Sequence, residues 1–182
     1  MNTITSSNCI LPYTICFCLH PDHVLMLHRS RPPNANLWNG LGGKIESGET
    51  PLSNIYREVW EEAGIDLREA GEVRFVGLVT WPTSNTATVR TGMYAFLAWL
   101  PPDYPLWPDR STEEGLLSWK ALEWVCDSSN EQAVSNIPQF LPRMLSEQEP
   151  GEYYCFEREG RLVVARLKDK EVYPPMRDSP KW

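Results

Sequence analysis

The sequence contains no apolar run long enough to span a membrane, which takes about 20 residues in a helix. Its N-terminus lacks a basic region followed by a long apolar core, so no secretory leader is expected. Positive charge is in deficit. Lys and Arg total 17 against 24 Asp and Glu, a net charge of -7. That excludes a general basic surface for a nucleic acid polymer, though a few local cations could still hold a small anion. Zinc-type cysteine spacing is missing as well. The five cysteines are Cys9, Cys16, Cys18, Cys126 and Cys155, an odd number, and none has a His partner in an evident pattern. We expect them reduced and mostly packing in a cytosolic protein, with Cys16 and Cys18 on one face of a strand. No repeat, low-complexity segment or linker appears, and 182 residues suit one domain with a proper core. Proline and tryptophan are plentiful, at 16 and 8, which suggests ordered, Pro-bounded loops and aromatic surfaces able to stack on a base.

In chain order, residues 1–8 read as a polar tail and residues 173–182 as a Pro-rich, loosely held end. Ile10 to Leu19 and Val24 to Leu27 read as strands around a Pro21-Asp22 turn. Gly71 to Val79 and Ala87 to Leu100 read as further strands, the second one central, with a turn from Trp81 to Thr86. Pro101 to Glu114 reads as a long loop, of a length that is often functional. A strand follows at Leu116 to Trp119, and Lys120 to Val125 is a turn or one helical turn. Glu131 to Leu145 is a second helix, broken or started near Pro138. Tyr153 to Glu157 and Leu162 to Leu167 form a hairpin around Glu159-Gly160.

The most informative stretch runs from Gly42 to Ile65. Thr50 suits a helix N-cap, Pro51 the first helical position and Gly64 a left-handed C-terminal cap. Leu52, Ile55, Tyr56, Val59 and Ala63 recur at helical spacing as one apolar stripe. Glu58, Glu61 and Glu62 gather at i, i+3 and i+4 on a neighbouring face. Like charges at that spacing repel, and the C-terminal half of a helix disfavours anions. A solvated acidic face is the plain reading. A hard cation with oxygen ligands would offset both penalties. Gly42-Gly43 before the helix offers a close backbone approach, and Arg57 offers a guanidinium to hold a carboxylate.

These residues resemble the Nudix box, Gly-x5-Glu-x7-Arg-Glu-U-x-Glu-Glu-x-Gly-U with U bulky and aliphatic. Gly43, Glu49, Arg57, Glu58, Val59, Glu61, Glu62, Gly64 and Ile65 fill every fixed position. The run Trp38 to Glu46 resembles the MutT-like branch, which includes enzymes that clear oxidised purine nucleoside triphosphates such as 8-oxo-dGTP. The resemblance implies an α/β fold, an α/β/α sandwich around a mixed β-sheet. It implies hydrolysis of a nucleoside diphosphate linked to a group X, with Mg²⁺ or Mn²⁺ as cofactor and a small-molecule nucleotide as substrate. Glu58, Glu61 and Glu62 would hold metal, joined by the Gly42 carbonyl. Glu58 would also serve as general base, oriented by Arg57. Glu49 would brace the loop–helix junction.

Arg29 is the favoured phosphate contact, since it leads from a strand end towards the glycine turn; His28 reads equally as a surface residue. Lys44 is a second candidate for the phosphates. Asn39 can offer a donor and an acceptor to a purine edge, which is the role the resemblance implies, or form a turn before Gly40. Trp38 reads as packing. Glu113 or Glu114 is the loop carboxylate that the resemblance would add to the metal site. The oxidised-purine enzymes carry acidic residues near the start of the later helix to read the base. Here Asn136 stands there, without an Asp pair. That departure leaves ADP-ribose, a dinucleoside polyphosphate or a nucleotide sugar open as substrate. A non-catalytic ligand-sensing module is the reading outside enzymes. A monomer and a homodimer both fit.

Overall fold

Strand β1, Cys9–His20, is built to be covered on both faces. Ile15, Phe17 and Leu19 enter one core cluster, while Cys16 and Cys18 enter the other. Alternate residues of a strand point to opposite faces, so this near-continuous apolar run belongs in the middle of a sheet. The structure, a computed structural model, describes residues 9–83 and 89–167. β2, His23–Arg29, returns antiparallel to β1 through the Pro21-Asp22 turn. The other strands are β3 (Trp38–Asn39), β4 (Glu72–Pro82), β5 (Arg90–Trp99), β6 (Arg110–Ser111), β7 (Gly115–Ala121), β8 (Gly151–Arg158) and β9 (Arg161–Leu167). They form one sheet in the order β6-β7-β2-β1-β5-β4-β8-β9, with β3 paired to β2. The β1–β5 and β4–β8 pairs are parallel and the rest antiparallel, so the sheet is mixed.

Helices close both faces. α1, Pro51–Ala63, presses Ile55, Val59 and Ala63 onto the face that carries Cys16, Cys18 and Phe96. α4, Ile137–Ser146, presses Ile137, Phe140, Leu141 and Met144 onto the face of Phe17 and Tyr153. α3, Leu122–Cys126, lies on that second side, and α2, Leu67–Ala70, follows α1. The fold is therefore of the α/β class, with helices on both sides of a mixed sheet.

Several expectations need correcting. The turn placed at Trp81 to Thr86 begins too early. Trp81 and Pro82 still pair with Thr91 and Arg90, because two long strands bury more together than either end alone. Residues 84–88 lie outside the described residues, as do the two predicted tails, 1–8 and 173–182. The loop from Pro101 to Glu114 contains β6, which pairs with β7. The second helix takes the later start, at Ile137 beside Pro138, and not the Glu131 end of the stretch. Residues 131–136 instead run beside β3: Trp38 donates its N–H to Gln132 O, and Val134 donates to Trp38 O. α2 is too short for any periodic signal and is held by Asp66, whose side chain accepts from the Arg68 N–H. Five free cysteines agree with the reading from sequence.

Candidate active site

Helix α1 sets the geometry. Thr50 caps it in reciprocal fashion: its hydroxyl accepts from the Ser53 N–H, and the Ser53 hydroxyl accepts from the Thr50 N–H. Gly64 ends it with φ 70°, in the left-handed region that glycine adopts at low cost. Between those ends the box residues form a braced cluster. Arg57 is the hub. Its Nε donates to Glu49 at 2.7 Å, its Nη1 to Glu61 at 2.8 Å, and its Nη2 lies 2.9 Å from Glu58. Arg57 thereby holds Glu49 as well as the two helix carboxylates, and it holds the Glu49 carboxyl down at about 2.

Asn54 completes the brace and is wholly buried. Its amide nitrogen donates to Lys44 O and to Glu49, both at 2.9 Å, and its oxygen accepts from the Thr14 hydroxyl at 2.5 Å. Glu49 also accepts from the Glu46 N–H. Together these bonds pin the 43–49 loop to the helix and to β1. Sequence reasoning missed Asn54. The signal was there: a polar residue of poor helix propensity placed beside the buried stripe.

The remaining carboxylates face inward. Glu62 accepts from the Gly42 N–H at 3.0 Å. Burial, reinforced by the nearby Glu58 and Glu114 carboxylates, pushes its carboxyl up to about 8 despite that hydrogen bond. Glu58 is also raised, mainly by burial and in spite of Arg57. Its carboxylate lies against Gly43, where an added Cβ would come within 2.5 Å of Oε1. Only glycine allows that approach.

These groups line a cavity of about 1430 Å³. Gly42, Gly43, Glu58, Glu61, Glu62, Glu113 and Glu114 line it, together with Arg29 and Lys44. Asn39 and Asn136 also line it, as do Trp81, Met93, Cys155, Phe156 and Leu162. The site residues expected from the sequence are thus brought together, except that Arg57 stands behind the wall. Arg29 is steadied by its Nε bond to Pro33 O at 2.8 Å. Asn136, just before α4, donates to Cys155 Sγ at 3.6 Å while its buried Oδ1 has no hydrogen-bond partner. Burial raises the Cys155 thiol to about 11, so it is neutral and not a nucleophile. The apolar walls Trp81, Met93, Phe156 and Leu162 were missed, because strand periodicity alone cannot tell which apolar residue borders a cavity.

Residues 11–144 match the NUDIX domain family. The chain belongs to that family. It is 38% identical over 66 residues to an oxidized purine nucleoside triphosphate hydrolase of Mus musculus, a match covering 35% of this chain and 42% of the relative. It is 41% identical over 54 residues to a dihydroneopterin triphosphate diphosphatase of Haemophilus influenzae, covering 30% of this chain and 33% of that one. The chain thus spans less than half the length of these curated relatives. A solved MutT protein from Bacillus halodurans superposes with a TM-score of 0.60 at 21% identity, over 83% of this chain and 93% of that one. That likeness shows the Nudix fold.

The donor set of the Nudix helix suits a hard divalent cation, since it offers oxygen ligands alone and burial raises both Glu58 and Glu62. Among the described residues, no three His, Cys, Asp or Glu side chains are already spaced as a metal cage. In this structure Arg57 holds Glu58 and Glu61, while Glu62 accepts from the Gly42 N–H.

Proposed function

We propose that this Nudix chain is a Mg²⁺-dependent pyrophosphohydrolase acting on purine (deoxy)nucleoside triphosphates, oxidised ones included, and releasing the monophosphate and pyrophosphate. The observation that carries this reading is one cavity lined by Glu58, Glu62 and Glu114 together with Arg29 and Lys44. Glu58, Glu61 and Glu62, with the Gly42 carbonyl, would hold the cation. Such a cation neutralises charge on the diphosphate oxygens and lowers the pKa of water.

The chain's own residues do the rest. Phosphoryl transfer demands positioning and charge neutralisation more than covalent chemistry. Arg29, anchored on Pro33 O, and Lys44 would bind the phosphates. Arg57 orients Glu58, which would take the proton from the attacking water. Glu114 is favoured over Glu113 as the loop carboxylate, because it is the one whose charge bears on Glu62. Asn39 and Asn136 would meet the base, with Trp81 and Phe156 among the apolar walls around it. The names of the matched relatives fit a nucleotide-like triphosphate, and the protein is expected in the cytosol as a monomer or homodimer.

Asn136 favours a second reading. It offers a neutral amide where a carboxylate pair would select an oxidised purine, so another X-linked diphosphate, such as ADP-ribose, a dinucleoside polyphosphate or a nucleotide sugar, stays in view. A product-resolved screen separates the two. The panel holds ordinary and 8-oxo nucleoside triphosphates, ADP-ribose and diadenosine polyphosphates, each with Mg²⁺ and with chelator. Chelator-sensitive release of pyrophosphate from the triphosphates supports the first reading. Preference for another member supports the second, and no turnover at all would leave a binding module.

A further inference from the structure

The last turn of α1 holds Glu61 and Glu62 and has no basic residue of its own. Anions there are opposed by the helix dipole. A compensating cation comes from β6. Arg110 donates from Nη1 to Ala63 O at 3.1 Å, beside the Gly64 cap. Its guanidinium also lies over the Trp107 ring, 4.1 Å from the centroid. Trp107 in turn packs edge-on against Trp119 of β7, with centroids 5.7 Å apart. The guanidinium is therefore held between a helix end and an aromatic wall.

Arg110 also sits at the base of a short hairpin. It pairs with Leu117, and Ser111 pairs with Leu116. Thr112 pins the turn, its hydroxyl accepting from the N–H groups of Glu114 and Gly115 at 3.2 Å each. The Glu114 carbonyl accepts from the Ser30 N–H at 2.9 Å and the Ser30 hydroxyl at 3.0 Å. Glu114 and Glu62 line the same cavity. The carbonyl gripped by Arg110 belongs to the residue directly after Glu62, and the turn it anchors carries Glu114.

We propose that Arg110 is a positioning residue that clamps the 110–117 hairpin to the C-terminal end of α1 and so sets the separation of Glu114 from Glu62. It touches neither substrate nor reacting atoms. The inference rests on the reaction proposed above, in which those two carboxylates share one site. An ordinary surface ion pair would contribute little. A clamp acts on geometry, where a displacement of about 1 Å can cost about 10²-fold in rate.

The test compares wild type with Arg110→Ala, Arg110→Lys, Glu114→Gln and the Arg110→Ala/Glu114→Gln double variant. Steady-state rates are read on the best substrate. Mn²⁺ affinity is read without substrate, from the free-ion electron paramagnetic resonance signal. Hydrogen exchange is read over residues 111–116. Arg110→Ala should lower kcat roughly 10- to 100-fold with KM unchanged, weaken Mn²⁺ binding and speed exchange in the hairpin while α1 keeps its protection. Arg110→Lys, which still reaches a carbonyl, should recover part of the loss. The double variant should be no worse than the worse single one, because both act through the same carboxylate. Multiplying effects, an Arg110→Ala variant with wild-type kcat and Mn²⁺ affinity, or a silent Glu114→Gln would overturn the clamp alone. A wild type that neither binds Mn²⁺ nor hydrolyses any nucleotide would sink the functional reading, and the clamp with it.

Discussion

Glu49 and Glu62 show how one residue type takes opposite tasks at the two ends of a helix. Glu49 is ionised and held by Arg57, while Glu62 is buried against other carboxylates. Glu62→Gln keeps the shape and removes a carboxyl that could ionise onto a bound cation. It should lower kcat about 10²–10³-fold, the scale of losing one preorganised electrostatic group, while the circular dichroism spectrum stays native. Normal turnover by the folded variant would rule out the metal assignment. Glu49 carries a pH prediction. Its folded pKa, about 2, lies below the ordinary 4.5. The fold favours the ionised form, so its contribution is complete above about pH 4.5 and fades as pH falls towards 2. Urea unfolding of Glu49→Gln at several pH values should therefore show lower stability at pH 6–8 and a flatter acid limb. An acid limb as steep as wild type would contradict this. Residue identity made Arg57 and Glu58 legible from sequence. It did not reveal that Arg57 also grips Glu49, since that bond depends on how the 43–49 loop folds back.

At the scale of elements, α1 was legible almost whole: Thr50, Pro51, the apolar stripe and Gly64 each fall where local rules put them. Its packing is the stronger constraint. Ile55 is wholly buried, and Ile55→Ala should cost about 2–5 kcal/mol in chemical unfolding through lost transfer energy and an unfilled cavity. A loss under about 1 kcal/mol would mean the site collapses around the gap, against close packing of the core. For the second helix Pro138 marked the start correctly, while Glu131 to Asn136 contains nothing that forbids a helix and so left the earlier start open. Those residues stay out of the helix since Trp38 needs partners for its N–H and C=O, and Gln132 and Val134 supply them. β6 was missed for a similar reason: two residues carry no period, and only pairing with β7 defines them.

For the whole molecule, the proposed cation is a ligand that binds the folded state. Mg²⁺ at about 100 times its dissociation constant should add about 2.7 kcal/mol to unfolding, or roughly 5–10 °C in Tm for a chain of this size. A Glu58→Gln/Glu62→Gln variant should lose that shift. Differential scanning with and without chelator reads it, and an equal shift in wild type and variant would place the cation elsewhere. Among the described residues no helix is long and apolar enough to cross a membrane.

The capped acidic helix and the chemistry its residues can support were legible in the chain alone, because these depend on local spacing, period and side-chain type; the class of fold came through the resemblance of that stretch to the Nudix box. Only the tertiary structure decided which distant groups share the site. Glu114 and Asn136 were expected there through the resemblance, but Trp81 and Phe156 were not, and the mixed sheet brings all four to one cavity by pairing β2 with β7 and β4 with β8. Such long-range pairing is settled by burial of whole faces and cross-strand fit, which no short window of sequence records. The same holds for Arg110, an unremarked arginine in a proline-rich stretch until the fold sets it against the end of the acidic helix.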